Sequence, residues 1–426
     1  MGHQHGYNHV HADGPSAVPV TGAAVIALLV FLAVCAIATV AGVVRFWPDQ
    51  HSVDQLKKAA TYAAPGVSFE TATVRSLKAG CDAGGQDPAD STADNTGDDS
   101  ENTGNPVACG VLKAKLATGP DKGTVASINV TGAVTDSGLT RGDTVRLMRV
   151  PTGEGQPASY SFDSVVRSHT LWWLLGAFAV VVVVVARLRG VLAMVGLAVG
   201  ALIVLKFMLP ALLSGYSGVG VALAGSALIM FVVLYLAHGL SVRTSAALAG
   251  TLIGIGITAT IGVFAVDSAR LSGLADDSGA LLSAYANDIS FQGLLLCAVI
   301  VAGLGVLNDV TITQVSAVWE LRAAAPELSR RKLFTSAMRI GRDHIASTIY
   351  TIVFAYAGAS LATLLLLSLY ARPWGQLLDA ESIAEEVVRT LVTAIGLVLA
   401  VPVTTAIAAA TVAGPGRTTG RGAHAA

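Results

Sequence analysis

The residues best placed to do chemistry in this chain are polar side chains set inside apolar sequence. The long segment from Phe291-Gln292-Gly293 to Val318 contains Asn308-Asp309-Val310-Thr311-Ile312-Thr313-Gln314, with largely apolar sequence on both sides, Leu294–Leu307 before it and Val315 to Trp319 after it. A helix of about 28 residues is longer than one crossing needs, so Asp309 need not sit at the midplane, but it falls within the inner half of a bilayer. An Asp near the centre of a spanning helix costs ~2.5–3.5 kcal/mol on insertion scales, and such residues usually face a partner or a wet path. Asp309 and Thr313 share a face at i, i+4, and Asn308 stands one position round. The next apolar segment opens Gly341-Arg342-Asp343-His344, and His344, Ser347, Thr348 and Thr351 fall on one stripe. A short loop makes these two helices antiparallel neighbours, so Arg342, Asp343 or His344 can approach Asp309 from the cytoplasmic end. Low dielectric favours a neutral carboxyl and a cationic neighbour favours the ionised one. A group balanced between them can take and release a proton as helices move. The competing reading is structural: interhelical hydrogen bonds worth ~1 kcal/mol each, with His344 a plain interfacial residue.

Other chemistry has less support. His3, His5, His9 and His11 form two His-x-His pairs that suit Zn²⁺, Ni²⁺ or Cu²⁺, but no Cys accompanies them, and a solvated tail explains them as well. No Walker A, HExxH or GxSxG pattern occurs. A hydrolase or an ATP-driven pump therefore has no support, and neither an enzyme nor a cofactor is expected. Net charge is −1, which gives no reason to expect nucleic acid.

The elements that must position these residues are membrane helices. The chain is 53% hydrophobic and 13% charged, against ~25% charged in a soluble domain. Residues 1–17 are a polar, His-rich tail. Val18–Val44 carries no charge and reads as an uncleaved anchor rather than a cleaved signal, because it is long and no Lys or Arg precedes it. Residues 45–169 are polar. Further apolar segments follow at 171–186, 190–209, 217–237, 245–266, 291–318, 344–370 and 386–412, giving about eight spans within residues 18–412. Only Arg187-Leu188-Arg189-Gly190 separates the second from the third, which implies a tight helical hairpin. Residues 413–426 form a second tail.

Lys and Arg favour the cytoplasmic side in short loops. With the N-terminus inside, inner loops hold Arg187, Arg189, Arg243, Arg322, Arg330, Arg331, Lys332, Arg339 and Arg342, and the tail adds Arg417 and Arg421. Short outer loops hold Arg270, Arg372 and Arg389. Both termini are thus expected in the cytoplasm and residues 45–169 outside. The loop Ala323–Arg342 reads as a basic amphipathic helix, either lying among anionic headgroups or simply helical. Glu385 and Arg389, at i, i+4, read as a solvated pair.

The outer segment is expected to be all-β. Candidate strands are Val67–Val74, Gly110–Ala117, Thr124–Val130, Asp143–Val150 and Tyr160–Val165, separated by turn residues such as Thr118–Gly123. Five short strands suit a small OB-like barrel. Ala83–Pro106 has no Lys, Arg or aromatic residue, so it cannot bury a core and is expected to be disordered. Its acids do not follow EF-hand spacing. Cys81 and Cys109 bracket it, and on the oxidising side of the membrane a disulfide is reasonable, the alternative being two free thiols. Cys35 and Cys297 lie in apolar runs and read as packing.

At these residues the chain resembles the YibE/F family of bacterial membrane proteins. The matching stretches are Leu304–Val310, Ala325–Ser329, Gly341-Arg342-Asp343, Ala355–Gly358 with Ser360, Ile383-Ala384 with Glu386 and Arg389, and Gly396–Pro402, together with the turn near Gly119. The resemblance spans roughly residues 67–412 and implies a multi-pass protein of the bacterial plasma membrane whose activity is not settled. A weaker resemblance is to one half of the SecD/SecF and resistance-nodulation-division proteins, where a descending helix carries an Asn-Asp-x-Val-like motif before a basic loop and a Ser/Thr-rich helix. Two extra helices near 171–209 and the lack of a second acidic motif depart from that pattern. It implies a half-transporter that needs a second half, from another copy or another subunit.

Two functions follow. One is a transporter or export-assisting protein driven by the proton-motive force through Asp309, with an unknown substrate. The other is a scaffold whose outer β domain holds a partner.

The bracketing cysteines generate a direct test. Cys81 and Cys109 should resist alkylation in protein from native membranes until reduced, and their bridge should stabilise the outer domain by roughly 3 kcal/mol. Free thiols without reduction would remove the bridge.

Overall fold

A computed structural model describes residues 18–59, 66–79, 108–152, 158–275, 279, 282–283, 289–369 and 373–414. His3, His5, His9, His11, the acidic loop 83–106, Cys81 and the Cys109 side chain lie outside the described residues. The helices are α1 Gly22–Arg45, α2 Gln50–Ala59, α3 Gly132–Thr135, α4 Ser168–Ile203, α5 Leu209–Leu213, α6 Gly218–His238, α7 Val242–Ser268, α8 Phe291–Ala324, α9 Arg330–Ala359, α10 Leu361–Leu369, α11 Trp374–Leu378 and α12 Glu381–Thr411. Contacts divide the chain into two units, Met1–Ala60 with Val182–Ala426, and Thr61–Val181.

The smaller unit is built on a five-stranded sheet: β1 Ser68–Ala79, β2 Ala108–Leu116, β3 Val125–Thr131, β4 Thr144–Val150 and β5 Ser159–Val165. All pairings are antiparallel, in the order β3-β2-β1-β4-β5. Alternate residues point to one face, and Ala72, Val74, Leu112, Ala114, Leu116, Ile128, Val130, Val145 and Leu147 are all buried there in one core. Register shifts at Val74/Ser76, Ala108/Gly110 and Arg146/Leu147 add twist, so the sheet curls into a half-barrel. The turn after β2 is fixed by Gly119, at φ +86°, where an added Cβ would lie 2.6 Å from Glu70 Oε2. The Thr118 hydroxyl donates to that carboxylate at 2.7 Å. From the same turn, Asp121 accepts from the Tyr160 hydroxyl at 2.6 Å and from Arg149 Nε at 3.3 Å. These two donors hold the Asp121 carboxyl below its usual value of 3.8. Its contribution is therefore present above that pH and fades as pH falls below it.

In the helical unit, polar caps start the long helices. Ser217, Ser241, Ser290 and Ser329 accept from the backbone N–H three residues on, opening α6, α7, α8 and α9. Among the described residues six helices are long and apolar enough to cross a membrane, or up to seven if the bent pair α9–α10 is one span. The longest of the six, Ser168–Leu213, is broken at Arg187, whose φ is 51° and ψ −136°. A Cβ on Gly190 would lie 2.6 Å from the Val182 carbonyl, whereas a straight helix puts residues eight apart at about 12 Å. The chain therefore turns sharply at Arg187, where the sequence reads as a hairpin.

The segment expected to run unbroken over 344–370 instead bends by 64° between α9 and α10. The break falls at Gly358-Ala359-Ser360, and small residues of this kind lie at sharp kinks. The stretch read as an amphipathic surface helix is the first half of α9. Leu333 and Ala337 are fully buried in the bundle core and Phe334 and Met338 pack against it, so its apolar face meets protein.

The start and end of the helical unit are fastened together. Val20 bridges Val412, Thr21 N–H donates to Thr411 O at 2.9 Å, and Ala413 N–H donates to Pro19 O at 2.7 Å. Arg330 donates to Thr21 Oγ1 at 2.5 Å and to Val412 O at 3.3 Å. The first span, the last span and the basic loop thus meet at one end.

The centre is α7, α8 and α12, packed at small residues. A Cβ on Gly250 would stand 2.9 Å from Thr404 Cβ, and one on Gly396 would stand 3.1 Å from Thr258 Cβ. Close backbone approach is how helices associate where water supplies no drive between them. Gly250→Leu and Gly396→Leu should each destabilise the bundle, by ~1–3 kcal/mol or more. Gly256→Leu, at a site with nothing within 4 Å, should not. Melting of the purified protein in detergent checks this, and equal melting of all three would contradict the packing account.

Candidate functional site

Asp309 is the nineteenth residue of α8, about 27 Å along it from Phe291. Its inward neighbours Leu307, Val310 and Thr311 are buried, while the Asp309 side chain is 70% exposed. It therefore points away from this chain's own core, on the stripe that also carries Ala298 and Gly305. The reason is that α8 gives its other faces to α6, α7 and α12. His344 of α9 is the residue brought to it, with Nε2 3.8 Å from Asp309 Oδ2. That contact is an ion pair only when the imidazole is protonated.

The other expected residues stand nearby in different roles. Thr313 Oγ1 donates to the Asp309 backbone carbonyl at 2.5 Å, not to its carboxylate. Asn308 is half-buried, and its Oδ1 has no hydrogen-bond partner among the described residues. Arg342 and Asp343 are exposed, and no ion pair joins either to Asp309. Thr348 is buried, but its hydroxyl returns to His344 O at 2.8 Å, so it serves its own helix. Ser347 and Thr351 are exposed along the same side of α9 as His344.

Behind Asp309, facing the core, lies a set of polar contacts whose role is not legible from the sequence. Gln314 is 3% exposed. Its amide donates to Ala337 O at 2.9 Å and to Thr405 Oγ1 at 2.8 Å, linking α8, α9 and α12. Thr251 and Thr311 share a buried hydrogen bond of 2.7 Å between α7 and α8. Arg322, 3% exposed, donates to Pro326 O and Leu328 O at 2.9 and 2.8 Å and so holds the loop before α9. These contacts fix the backbone that carries Asp309 and His344. In the sequence Gln314 is only the last polar residue of the Asn308–Gln314 stretch, and nothing there singles out its partners.

A second polar cluster sits at the far end, away from Arg330. Glu385 is 9% exposed, and Arg389 pairs with Glu386 at 3.5 Å. Glu385, expected to be solvated, is thus buried, and Arg389 lies close to its neighbour Glu386 at i, i+3. Among the described residues no group of three or more His, Cys, Asp or Glu is arranged to hold a metal ion.

The bundle of long apolar helices defines a polytopic helical membrane protein. The model of the YibE/F-like protein family matches residues 174–414, and the chain belongs to that family. No curated protein and no solved structure matches it, and the likeness to SecD/SecF is not shown by the family match.

Proposed function

We propose that this chain is a transporter or export-assisting protein driven by the proton-motive force, in which Asp309 takes and releases the proton. The observation that carries the reading is the Asp309–His344 pair. It is a carboxyl and an imidazole on neighbouring helices, 3.8 Å apart, beside a backbone fastened by Gln314. A movement of about 1 Å converts such a contact into a charge-assisted hydrogen bond, so helix motion and proton occupancy are linked.

The topology that serves this function has eight crossings, with α4 counted as two spans and α9–α10 as one. Both termini lie in the cytoplasm, residues 45–169 lie outside, and the membrane is the bacterial plasma membrane. The joined ends at Thr21, Val412 and Arg330 support an even number of crossings, and the Lys and Arg bias sets the side. The outer half-barrel has the strand order of an OB-like fold, with α3 between β3 and β4. A carboxylate 70% exposed on one chain is costly against lipid. We therefore take the face of Asp309 to be completed by a second half-transporter subunit, in the simplest case another copy.

Asp309→Asn keeps shape and hydrogen bonding but cannot ionise. It should insert and fold normally yet fail to rescue the deletion phenotype at matched protein level. Asp309→Leu should fail as well and lower the yield. If Asp309→Asn rescues as well as the parent, Asp309 is structural and the scaffold reading replaces this one.

A further inference from the structure

A cavity of about 190 Å³ lies where α6 ends and α7 begins, against Ser316 of α8. Its titratable lining is Arg189, His238 and Arg243, and its hydroxyls belong to Ser241, Thr244 and Ser316. Packing brings these groups together from distant sequence. Gly196 faces Val233 and Gly200 faces Ile229, so the second half of α4 runs antiparallel to α6. Arg189, about two turns before Gly196, thereby comes level with His238 at the end of α6. Arg243 enters from the first turn of α7, and its Nε donates to Ser316 Oγ at 3.2 Å. Both guanidiniums stand near enough to act on the charge of His238. Ser316 is seven residues from Asp309, about 10 Å along α8. The cavity is therefore separate from the Asp309–His344 pair.

We propose that this cavity binds a phosphate group, carried by a lipid head or by a small soluble ester. Among the described residues its lining holds two guanidiniums and an imidazole and no carboxylate. Glu320 meets Arg243 Nη1 at 3.6 Å, and its side chain is 75% exposed. Arg189 makes no ion pair or hydrogen bond among the described residues. Two guanidiniums against the one carboxylate of Glu320 leave a positive charge over, and protonated His238 adds another. A phosphate carries enough negative charge to balance either state. A guanidinium fork takes two oxygens of one anion. Two forks call for the several oxygens of a phosphate, where a carboxylate has only two. A cleft lined by one sign of charge concentrates its counter-ion, and basic pockets between membrane helices hold lipid head groups. The volume admits a phosphate and falls short of the ~300–1,000 Å³ of sites that enclose a drug-sized ligand, so the rest of the molecule stays outside. The hydroxyls of Ser241 and Thr244 already bond to each other at 2.9 Å, which leaves the recognition to the two arginines. The inference stands apart from the Asp309 reading, since it requires neither a proton gradient nor a second subunit.

The test is equilibrium binding to the full-length protein in a neutral detergent free of phosphate. The probes are radiolabelled glycerol 3-phosphate and dioctanoyl phosphatidic acid, which share a head and differ in their chains. At least one should bind saturably, at one molecule per chain. Arg189→Gln should weaken that binding about tenfold, the factor given by ~1.4 kcal/mol. Because Arg189 bonds to no described residue, this variant removes charge without removing a contact of the fold. Arg331→Gln removes an exposed arginine away from the cavity and should bind as the parent does. Unlabelled dioctanoylglycerol, which has the chains without the phosphate, should not displace either probe. Binding of phosphatidic acid alone would assign the site to a lipid head, and equal affinity for both probes would assign it to a soluble phosphate ester. The proposal is overturned if neither probe saturates, if Arg189→Gln binds as tightly as the parent, or if dioctanoylglycerol displaces the bound phosphate.

Discussion

The structure depends on the close contact of α7, α8 and α12 at small residues. In lipid, apolar side chains gain nothing by leaving the solvent, so helices hold together by fitted surfaces and internal hydrogen bonds. Gly250 against Thr404 and Gly396 against Thr258 set the first. Thr251–Thr311 and Gln314 with Thr405 and Ala337 O set the second. Once the inward face of α8 is given to these contacts, its outward stripe is decided, and Asp309 lies on it. The position of the carboxylate is thus a consequence of the same packing that keeps its helix still.

The two polar sites have different physical characters because of where they stand on this frame. Asp309 is exposed at the side of the bundle with the half-buried His344 beside it, both held by backbone that Gln314 and Arg322 fasten from behind. Glu385, Glu386 and Arg389 line an open cavity within the helical unit. Both border α8 along one stripe, from Ala298 to Asp309, so a rotation of α8 would be felt at each.

Much of this was legible in the sequence. Long charge-free runs gave the apolar helices, and alternation at Ala72 and Val74, or Leu112, Ala114 and Leu116, gave strands. The turn at Arg187 was readable from two arginines and a glycine between apolar runs. Three things were not. The break at Ser360 depends on packing around a weak Gly-Ala-Ser signal, which hydropathy does not register. The burial of Leu333 and Ala337 required knowing that a protein surface, not headgroups, lies beneath α9. Glu385 read as solvated because i, i+4 spacing to Arg389 is common on exposed helices, whereas the fold turns that side toward Leu294 and Ser360. Spacing fixes which residues share a face, but only tertiary contacts fix what the face meets.

The central claim is that Asp309 exchanges a proton across the membrane. The most direct measurement is proton uptake into proteoliposomes holding a pH-sensitive dye, under an imposed pH gradient, for the parent protein and Asp309→Asn at equal density. The account predicts uptake above that of empty vesicles with the parent protein and uptake at the empty-vesicle rate with Asp309→Asn. Equal uptake by the two proteins, above that of empty vesicles, would contradict it.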